Sequence, residues 1–140
     1  GTILNHNIIF RLRVPEAYIE IEAKRKAEEA RTRLKQYRGT DEYESLSDKN
    51  AIVVDDGIAT GYTVMSAINF LKGLKPKKLI LATPVIAPDT RVKMEKIVDE
   101  LICVKSEDPF YSVGQFYYKF FQVTDSEIMD VLAKRRFPRQ

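Results

Sequence analysis

The sequence predicts a single α/β domain, residues 1–140, built on a parallel β-sheet. The chain has 140 residues, a length typical of one domain. Short apolar runs rich in β-branched residues alternate with segments of helical spacing, as in strand–helix–strand units. Hydrophobic residues make up 44% of the chain and charged residues 31%, with 6 Gly and 6 Pro. This composition excludes disordered, collagen-like and low-complexity chains.

The charge and the scarcity of Cys and His exclude several kinds of site. The formal net charge of +3 is too small to indicate nucleic-acid binding. With 1 Cys and 1 His, the chain can form no internal disulfide and cannot supply the ligands of a zinc site, whereas oxygen-liganded Mg²⁺ stays open. No apolar run reaches the roughly 18 to 20 residues of a membrane span, and no signal peptide is evident. We therefore expect a cytoplasmic protein without nucleic-acid or membrane partners.

The first 50 residues predict one long helix followed by a loop. Residues 1–14 fit a strand and a helical turn equally well, and both interpretations stay open. From Pro15 onward, apolar residues recur at three- and four-residue spacing in a strongly charged stretch, which predicts an amphipathic helix that ends at Gly39. Residues 39–50 (GTDEYESLSDKN) are polar and turn-forming, and predict a surface loop.

The central part of the chain predicts a strand–helix–strand unit. Residues 51–55 (AIVVD) form a short apolar run that is typical of a parallel strand buried on both faces. Helical spacing starts at Tyr62 and ends at Gly73, and residues 78–83 (KLILAT) form a second run of buried type. The intervening Gly57 and Gly61 interrupt both patterns and predict a turn.

The last third predicts a further helix and strand, then an aromatic segment. Pro88 opens a helical pattern, and residues 101–104 form a third strand-like run. Residues 110–121 (FYSVGQFYYKFF) are rich in Phe and Tyr, for which core or subunit packing is favoured over stacking on a planar ligand. Thr124 and Glu127 form a capping box that opens a last helix. The basic residues at the end of the chain are typical of a solvated terminus: Lys134, Arg135, Arg136 and Arg139.

The segment most informative about function is residues 52–63, IVVDDGIATGYT. A buried strand places two acids at its carboxyl end, where open α/β sheets bind ligands. The following turn offers successive backbone amides and the hydroxyls of Thr60 and Thr63 at the start of a helix, an arrangement that favours a phosphate. The acids would repel a phosphate at contact distance, so we expect them to bind sugar hydroxyls or Mg²⁺. Together these features describe a site for a pentose 5-phosphate.

This segment resembles the phosphoribosyl-pyrophosphate (PRPP) signature of type I phosphoribosyltransferases. The resemblance lies in the apolar run, the acid pair and the turn Ala59-Thr60-Gly61-Tyr62-Thr63. Residues 82–90 and 108–114 are also similar to a group of predicted bacterial and archaeal phosphoribosyltransferases. The resemblance implies a doubly wound parallel sheet and Mg²⁺-dependent transfer of ribose 5-phosphate from PRPP to a nitrogenous acceptor, with release of pyrophosphate. Tyr62 departs from the family, in which a small residue is more usual.

The resemblance also assigns roles to residues. It implies that Asp55 and Asp56 are catalytic, face the ribose 2- and 3-hydroxyls, and are the side chains available to Mg²⁺. The implied PRPP-binding residues form one continuous stretch: Asp55, Asp56, Gly57, Ile58, Ala59, Thr60, Gly61, Tyr62 and Thr63. The acceptor has no transferable sequence code, so purine, pyrimidine and other acceptors stay open.

The residues before Ala51 depart from the family. Members of the group have a preceding segment with the first core strands and a pyrophosphate-binding loop, and no such loop is evident here. We therefore expect the C-terminal part of a longer domain, or a homo-oligomer in which a second chain supplies the missing strands.

Other interpretations of the acid pair and of the chain are weaker. An Asp-Gly pair after a strand is often only an exposed turn. Receiver domains also begin with paired acids, but they need an Asp at the end of a later strand, where this chain has Thr83 and Val104. A Walker loop requires a longer glycine spacing and a Lys. The alternative functions are a non-catalytic module that senses PRPP or a nucleotide and, more weakly, a scaffold that assembles through its aromatic segment.

Overall fold

The computed structural model describes residues 2–134 of the chain. In chain order its helices and strands are α1 (His6–Leu12), α2 (Glu16–Arg38), β1 (Asn50–Val54), α3 (Tyr62–Gly73), β2 (Lys78–Val85), α4 (Pro88–Glu95), β3 (Glu100–Lys105), a 3₁₀ helix (Val113–Phe116) and α5 (Asp125–Lys134). Of the predicted basic terminus, Arg135, Arg136 and Arg139 lie outside the described residues.

The described residues form two compact units. One unit contains residues 2–7 and Tyr43–Lys119, and the other contains Ile8–Glu42 and residues 120–134. The sheet belongs to the first unit, whereas α2 and α5 belong to the second. The single domain expected over residues 1–140 stays a prediction.

The sheet has three parallel strands in the order β1-β2-β3. The register places Val53 beside Leu81 and Leu81 beside Leu101. Helices α3 and α4 supply Ile68 and Met94 to a core that also contains the buried side chains of the strands. The parallel α/β class that the sequence predicts is therefore confirmed, with α3 connecting β1 to β2 and α4 connecting β2 to β3.

The prediction that β1 is buried on both faces is wrong for this strand. Ala51 is buried and Val53 half-buried, but the alternating residues Ile52 and Val54 are 60% and 74% exposed. Side chains alternate between the faces of a strand, and both α3 and α4 contribute to the core on the Ala51 side. β1 therefore has one covered face, and it lies at an edge of the three-stranded sheet.

Strand β2 is longer than predicted and includes Pro84. The predicted strand ends at residue 83, whereas in the structure Thr83 pairs with Cys103 and Val85 pairs with Lys105. The pairing of β1 with β2 ends at Ala82. Proline has no amide N–H to donate to a neighbouring strand. Pro84 lies beyond Ala82, where the pairing of β2 with β1 ends, so the missing donor costs little stability.

The N-terminal stretch, left open between strand and helix, contains helix α1. Before Asn50, the described residues contain two helices and no strand, which agrees with the expectation that the first core strands are missing from this chain. Helix α2 ends as predicted, because Gly39 takes a left-handed conformation with φ 79° and its amide donates to the Lys35 carbonyl.

Helix α5 begins with the predicted capping box. The Thr124 amide donates to Glu127 Oε2 at 2.8 Å, and the Glu127 amide donates to Thr124 Oγ1 at 3.3 Å. The Thr124 amide and hydroxyl both donate to the Glu127 carboxylate, and these two bonds hold the pKa of that carboxyl below its usual value. The Tyr37 hydroxyl on α2 donates to Asp125 Oδ1 at 2.5 Å, which joins α2 to α5. Among the helices of residues 2–134, none has the length and apolar character that a membrane span requires.

Candidate functional site

The two acids of the candidate site directly follow β1 at the carboxyl edge of the sheet. The Asp55 amide donates to the Ala82 carbonyl at 3.2 Å, which extends the pairing with β2 by one residue. Asp55 is half-buried and Asp56 is exposed. The acid pair is therefore held to the sheet at its first member, and its second member faces solvent.

The chain turns sharply after the acids because Asp55 hydrogen-bonds to its own backbone. Its carboxylate Oδ1 accepts the Gly57 amide at 3.0 Å, the pattern of an Asx turn. A side-chain oxygen of Asp55 thus sets the direction of the loop that follows. Asparagine would keep this oxygen, so the charge of Asp55 can be removed without removing the turn.

The loop then returns to the sheet at Ile58. This residue forms an isolated parallel bridge with Ile86, donates from its amide to the Val85 carbonyl at 3.0 Å and accepts the Ala87 amide at 2.9 Å. Its side chain is only 2% exposed. Ile58 is therefore a buried anchor between the acid pair and the Gly/Thr turn, and its side chain is not available to a ligand.

Helix α4 fixes the second half of the loop. The buried Thr90 side chain donates from Oγ1 to the Ala59 carbonyl at 2.5 Å. Gly61 has φ 76° and caps the start of α3, and its carbonyl accepts the Met65 amide at 2.8 Å. A Cβ at Gly61 would lie 2.4 Å from Met94 Cε and 2.8 Å from Thr90 Cγ2. Both the backbone conformation and the packing therefore require glycine at this position.

The loop ends at the N-terminus of α3. Thr60 and Thr63 are exposed, and Tyr62, the first helical residue, is half-buried. The first amides of a helix have no carbonyl partner within the helix, and the helix dipole adds partial positive charge there. Backbone amides and two hydroxyls thus offer hydrogen-bond donors to an anion at the end of the loop opposite the acids.

Gly57 lies against a segment that comes much later in the chain. A Cβ at Gly57 would lie 2.3 Å and 2.7 Å from the two Val113 methyl carbons and 2.9 Å from Val85 Cγ2. The 3₁₀ helix that contains Val113 therefore packs directly onto the turn after the acid pair. Glycine is required at position 57 by this close approach and not by its backbone angles.

We expect Gly57→Ala to lower the free energy of unfolding by about 1–3 kcal/mol, as overpacking of a close contact does. Chemical denaturation of the variant measures this loss. A Gly57→Ala/Val113→Ala double variant lacks the two closest methyl groups and keeps only the contact with Val85, so it is expected to be more stable than the single variant. Additive losses in the double variant would contradict the contact between Gly57 and Val113.

The segment around the 3₁₀ helix is held by one glutamine side chain. Gln115 Oε1 accepts the amides of Tyr111 at 2.7 Å and Ser112 at 3.0 Å, and its Nε2 donates to the Pro109 carbonyl at 2.9 Å. Ser112 and Gln115 form a capping box. The loop after β3 therefore has a defined shape before it reaches the acid pair.

Tyr117, at the end of this segment, contacts the acid pair. Its hydroxyl donates to the Asp56 carbonyl at 2.5 Å. Burial, and then the negative charges of Asp56 and Asp55, raise the pKa of the Tyr117 phenol. The phenol therefore keeps its proton at neutral pH and remains a hydrogen-bond donor.

The rest of the aromatic segment does not form a core. The rings of Phe110 and Phe116 lie 5.0 Å apart, and the Lys105 ammonium lies 5.7 Å from the Phe116 ring centroid. Four further aromatic residues are exposed: Tyr111, Tyr118, Phe120 and Phe121. Of the predicted core or subunit packing, core packing is therefore wrong for these four side chains, and subunit packing stays a prediction.

The structure places the predicted site residues on one continuous stretch, the turn after β1 (residues 55–61) and the first two residues of α3. These residues are Asp55, Asp56, Gly57, Ile58, Ala59, Thr60, Gly61, Tyr62 and Thr63. Sequence reasoning missed the residues that hold this turn from outside, which are Thr90, Val113 and Tyr117. The Ser112-to-Gln115 spacing was a signal for the ordered segment, since Ser followed by Gln three residues later is a capping box.

Within residues 2–134, no group of three or more His, Cys, Asp or Glu side chains could hold a metal ion. Among acidic, His and Cys side chains of the described residues, a cation at the acid pair would therefore have at most the two aspartates as ligands. Mg²⁺ is typically held by one or two carboxylates together with phosphate oxygens of a substrate and water. The donor set fits Mg²⁺ that arrives with a phosphorylated ligand, and it does not fit a metal cage made of protein alone.

A turn with paired acids at one end and helix amides at the other matches a known family. A sequence model described as "Phosphoribosyl transferase domain" matches residues 1–120 of this chain. The chain belongs to this family. The resemblance noted in the sequence is therefore confirmed, and the three-stranded parallel sheet agrees with the fold expected for it.

Individual relatives agree with this membership. Over 132 residues, or 94% of the chain, it is 28% identical to the protein named "Putative phosphoribosyl transferase Rv0571c" from Mycobacterium tuberculosis. A stretch of 54 residues, 39% of the chain and 26% of the relative, is 39% identical to the uracil phosphoribosyltransferase of Mycoplasma genitalium.

A solved structure has the same fold. The crystal structure of the protein TT1426 from Thermus thermophilus matches 88% of this chain with a TM-score of 0.73 and 27% identity. The match covers 59% of the Thermus chain, and this phosphoribosyl transferase domain spans 30% of the length of the Mycobacterium relative.

Proposed function

We propose that this protein is a phosphoribosyltransferase that binds PRPP with residues 55–63 and transfers its ribose 5-phosphate to a nitrogenous acceptor. One observation carries the proposal. Asp55 and Asp56 lie at one end of a turn whose other end is the N-terminus of α3, and Ile58 and Thr90 hold that turn to the sheet and to α4. Family membership supports the same function.

The phosphate end of the site consists of backbone amides and hydroxyls. The 5-phosphate of PRPP is expected to accept hydrogen bonds from the amides of residues 59–63 and from the Thr60 and Thr63 hydroxyls, which are exposed at the start of α3. The left-handed conformation of Gly61 lets the backbone curve around a ligand. Because the helix dipole also favours negative charge here, no lysine is needed to hold the phosphate.

The ribose end of the site consists of the acid pair. Carboxylates accept strong hydrogen bonds from hydroxyls, so Asp55 and Asp56 are expected to hold the ribose 2- and 3-hydroxyls. In the reaction, the bond from the anomeric carbon to pyrophosphate breaks and a bond to the acceptor nitrogen forms, while a nitrogen proton leaves to solvent. Positive charge develops on the ribosyl ring as pyrophosphate departs, and fixed carboxylates nearby stabilise it.

Magnesium is the expected cofactor. The acid pair supplies the oxygen ligands that Mg²⁺ prefers, and PRPP itself supplies phosphate oxygens. Bound Mg²⁺ would neutralise charge on the departing pyrophosphate. We expect Asp55 and Asp56 to contribute to its binding only when PRPP is present, since no third acidic, His or Cys ligand adjoins them in the described residues.

A second candidate is a module that binds PRPP or a nucleotide without catalysis. One observation favours it: residues 2–49 contain two helices and no strand, so the strand expected to precede the PRPP motif of a transferase is not found before β1 in the described residues. The two candidates make the same prediction for PRPP binding. They differ in whether pyrophosphate is released.

Pyrophosphate release from PRPP distinguishes the two candidates. The protein is incubated with PRPP and Mg²⁺, first without an acceptor and then with purine or pyrimidine bases. Released pyrophosphate is measured by a coupled assay. For a transferase we expect release that depends on one class of acceptor and is lost in Asp56→Asn. Saturable PRPP binding without release would favour the binding module, and the absence of both would contradict the proposal.

A further inference from the structure

The turn after the acid pair is contacted by a segment that lies far from it in the sequence. Val113 packs on Gly57, and the Tyr117 hydroxyl donates to the Asp56 carbonyl at 2.5 Å. We propose that Tyr117 is a positioning residue that fixes the Asp56 peptide so that the Asp56 carboxylate is aimed at the ribose hydroxyls of the ligand. The inference rests on the proposed function, because it assigns Asp56 to the ribose.

The local structure of Asp56 explains why such a residue is needed. Asp55 is fixed twice, by its amide bond to Ala82 and by its carboxylate bond to Gly57. Asp56 lies beyond the end of β1, and its side chain is exposed. A change in the ψ angle of Asp56 turns its Cα–Cβ bond relative to its own carbonyl, and with that carbonyl held by Tyr117 the direction of the carboxylate is restricted.

Tyr117 can do this because its own position is fixed. Its amide donates to the Gly114 carbonyl at 3.2 Å, at the end of the 3₁₀ helix. Gln115 ties that helix to the preceding loop through three hydrogen bonds. The contact between Val113 and Gly57 adds a second point of attachment, so the segment is held against the turn at two places.

The role is one of positioning and not of direct catalysis. The Tyr117 hydroxyl donates to the main-chain carbonyl of Asp56. Through this bond it acts on a ligand by way of the orientation of Asp56. This predicts that Tyr117 matters for ligands that carry ribose hydroxyls and not for a bare phosphate, which would bind at the other end of the loop.

The test compares Tyr117→Phe with Tyr118→Phe by calorimetric titration. The two substitutions remove the same hydroxyl from adjacent residues, but Tyr118 is 99% exposed and serves as the matched control. Loss of one hydrogen bond costs a factor of about 3 to 10 in affinity. We expect Tyr117→Phe to weaken ribose 5-phosphate binding by this factor and to leave inorganic phosphate binding unchanged, whereas Tyr118→Phe changes neither.

A double-mutant cycle tests whether Tyr117 acts through Asp56. In the Asp56→Asn background, Tyr117→Phe is expected to have less than half of its single-variant effect on ribose 5-phosphate affinity, because coupled residues are not additive. Full additivity would overturn the positioning role, as would equal weakening of ribose 5-phosphate and inorganic phosphate. Thermal unfolding of each variant is recorded beside the titrations.

A milder variant keeps the inference testable if Tyr117→Phe does not fold. Gln115→Ala removes the bonds that shape the segment but leaves Tyr117 and the acids in place, and it is expected to weaken ribose 5-phosphate binding in the same direction. Failure of the wild-type protein to bind either PRPP or ribose 5-phosphate would overturn the proposed function and this inference together. Wild-type binding that neither variant weakens would overturn the inference alone.

Discussion

Replacing Gly61 with alanine is expected to destabilise the protein by roughly 2–5 kcal/mol, because two costs combine at this residue. The backbone has φ 76°, a left-handed conformation that costs a residue with a Cβ about 1–2 kcal/mol. The new Cβ would also lie 2.4 Å from Met94 Cε, in the fully buried core, and overpacking costs about 1–3 kcal/mol. Denaturant unfolding of the wild type and the variant measures the difference.

The same substitution is expected to weaken PRPP binding. Gly61 forms the cap of α3, so any shift that relieves the clash with Met94 displaces the amides that face the 5-phosphate. Gly73→Ala is the matched control, because Gly73 ends the same helix and a Cβ there meets nothing within 4 Å. The control should be neutral or stabilising by up to about 1 kcal/mol. A Gly61→Ala protein with wild-type stability and affinity would contradict the geometry of the loop.

Neutralising the acid pair is expected to remove most of the PRPP affinity. Hydrogen bonds to a charged group contribute about 1.5–3 kcal/mol each, which predicts a loss of roughly 10- to 150-fold in Asp56→Asn. Asp55→Asn should show a similar loss without disturbing the turn, because the asparagine oxygen can still accept the Gly57 amide. Calorimetric titration with PRPP in the presence of Mg²⁺ gives both affinities.

The matched control for the acid pair is Asp48→Asn. Asp48 precedes β1 at the amino edge of the sheet and is exposed, so the substitution makes the same change of net charge at the opposite edge from the site. We expect its affinity for PRPP to stay within twofold of the wild type. A loss of affinity in Asp48→Asn equal to that in Asp56→Asn would show that overall charge, and not a ribose contact, governs binding.

The part of the fold that could be predicted from sequence is the part specified locally. The apolar run before Asp55, the glycine at position 61 and the helical spacing after Tyr62 depend on residues within one or two turns of each other. The same holds for Gly39 and for the capping box of α5, both of which the structure confirms. Each of these signals is a local backbone or capping preference that does not depend on how distant parts of the chain pack.

What the sequence could not reveal depends on long-range packing. The run Ala51–Val54 has the same apolar character on both faces, and only the placement of α3 and α4 decides that Ile52 and Val54 are exposed. Residues 1–14 satisfy the strand and helix patterns equally. Pro84 suggests a turn, and its place in β2 depends on where the pairing with β1 ends.

The candidate site shows the same division. The residues on the turn itself were predicted from one contiguous motif. Tyr117, Val113 and Thr90 contact that turn from 31 to 61 residues away, and their residue types carry no signal of this role. An exposed tyrosine and one that bonds to the Asp56 carbonyl stand side by side in the sequence, and only the three-dimensional structure distinguishes Tyr117 from Tyr118.

The central claim is that residues 55–63 hold the ribose 5-phosphate part of PRPP. Its most direct test is an amide NMR titration of the ¹⁵N-labelled protein with PRPP and Mg²⁺, with inorganic phosphate as a comparison. We expect PRPP to shift the amides of residues 56–63 and of Tyr117, and phosphate to shift only those near Thr60 and Thr63. Saturable shifts confined to other parts of the chain, or no shifts with PRPP at all, would contradict the claim.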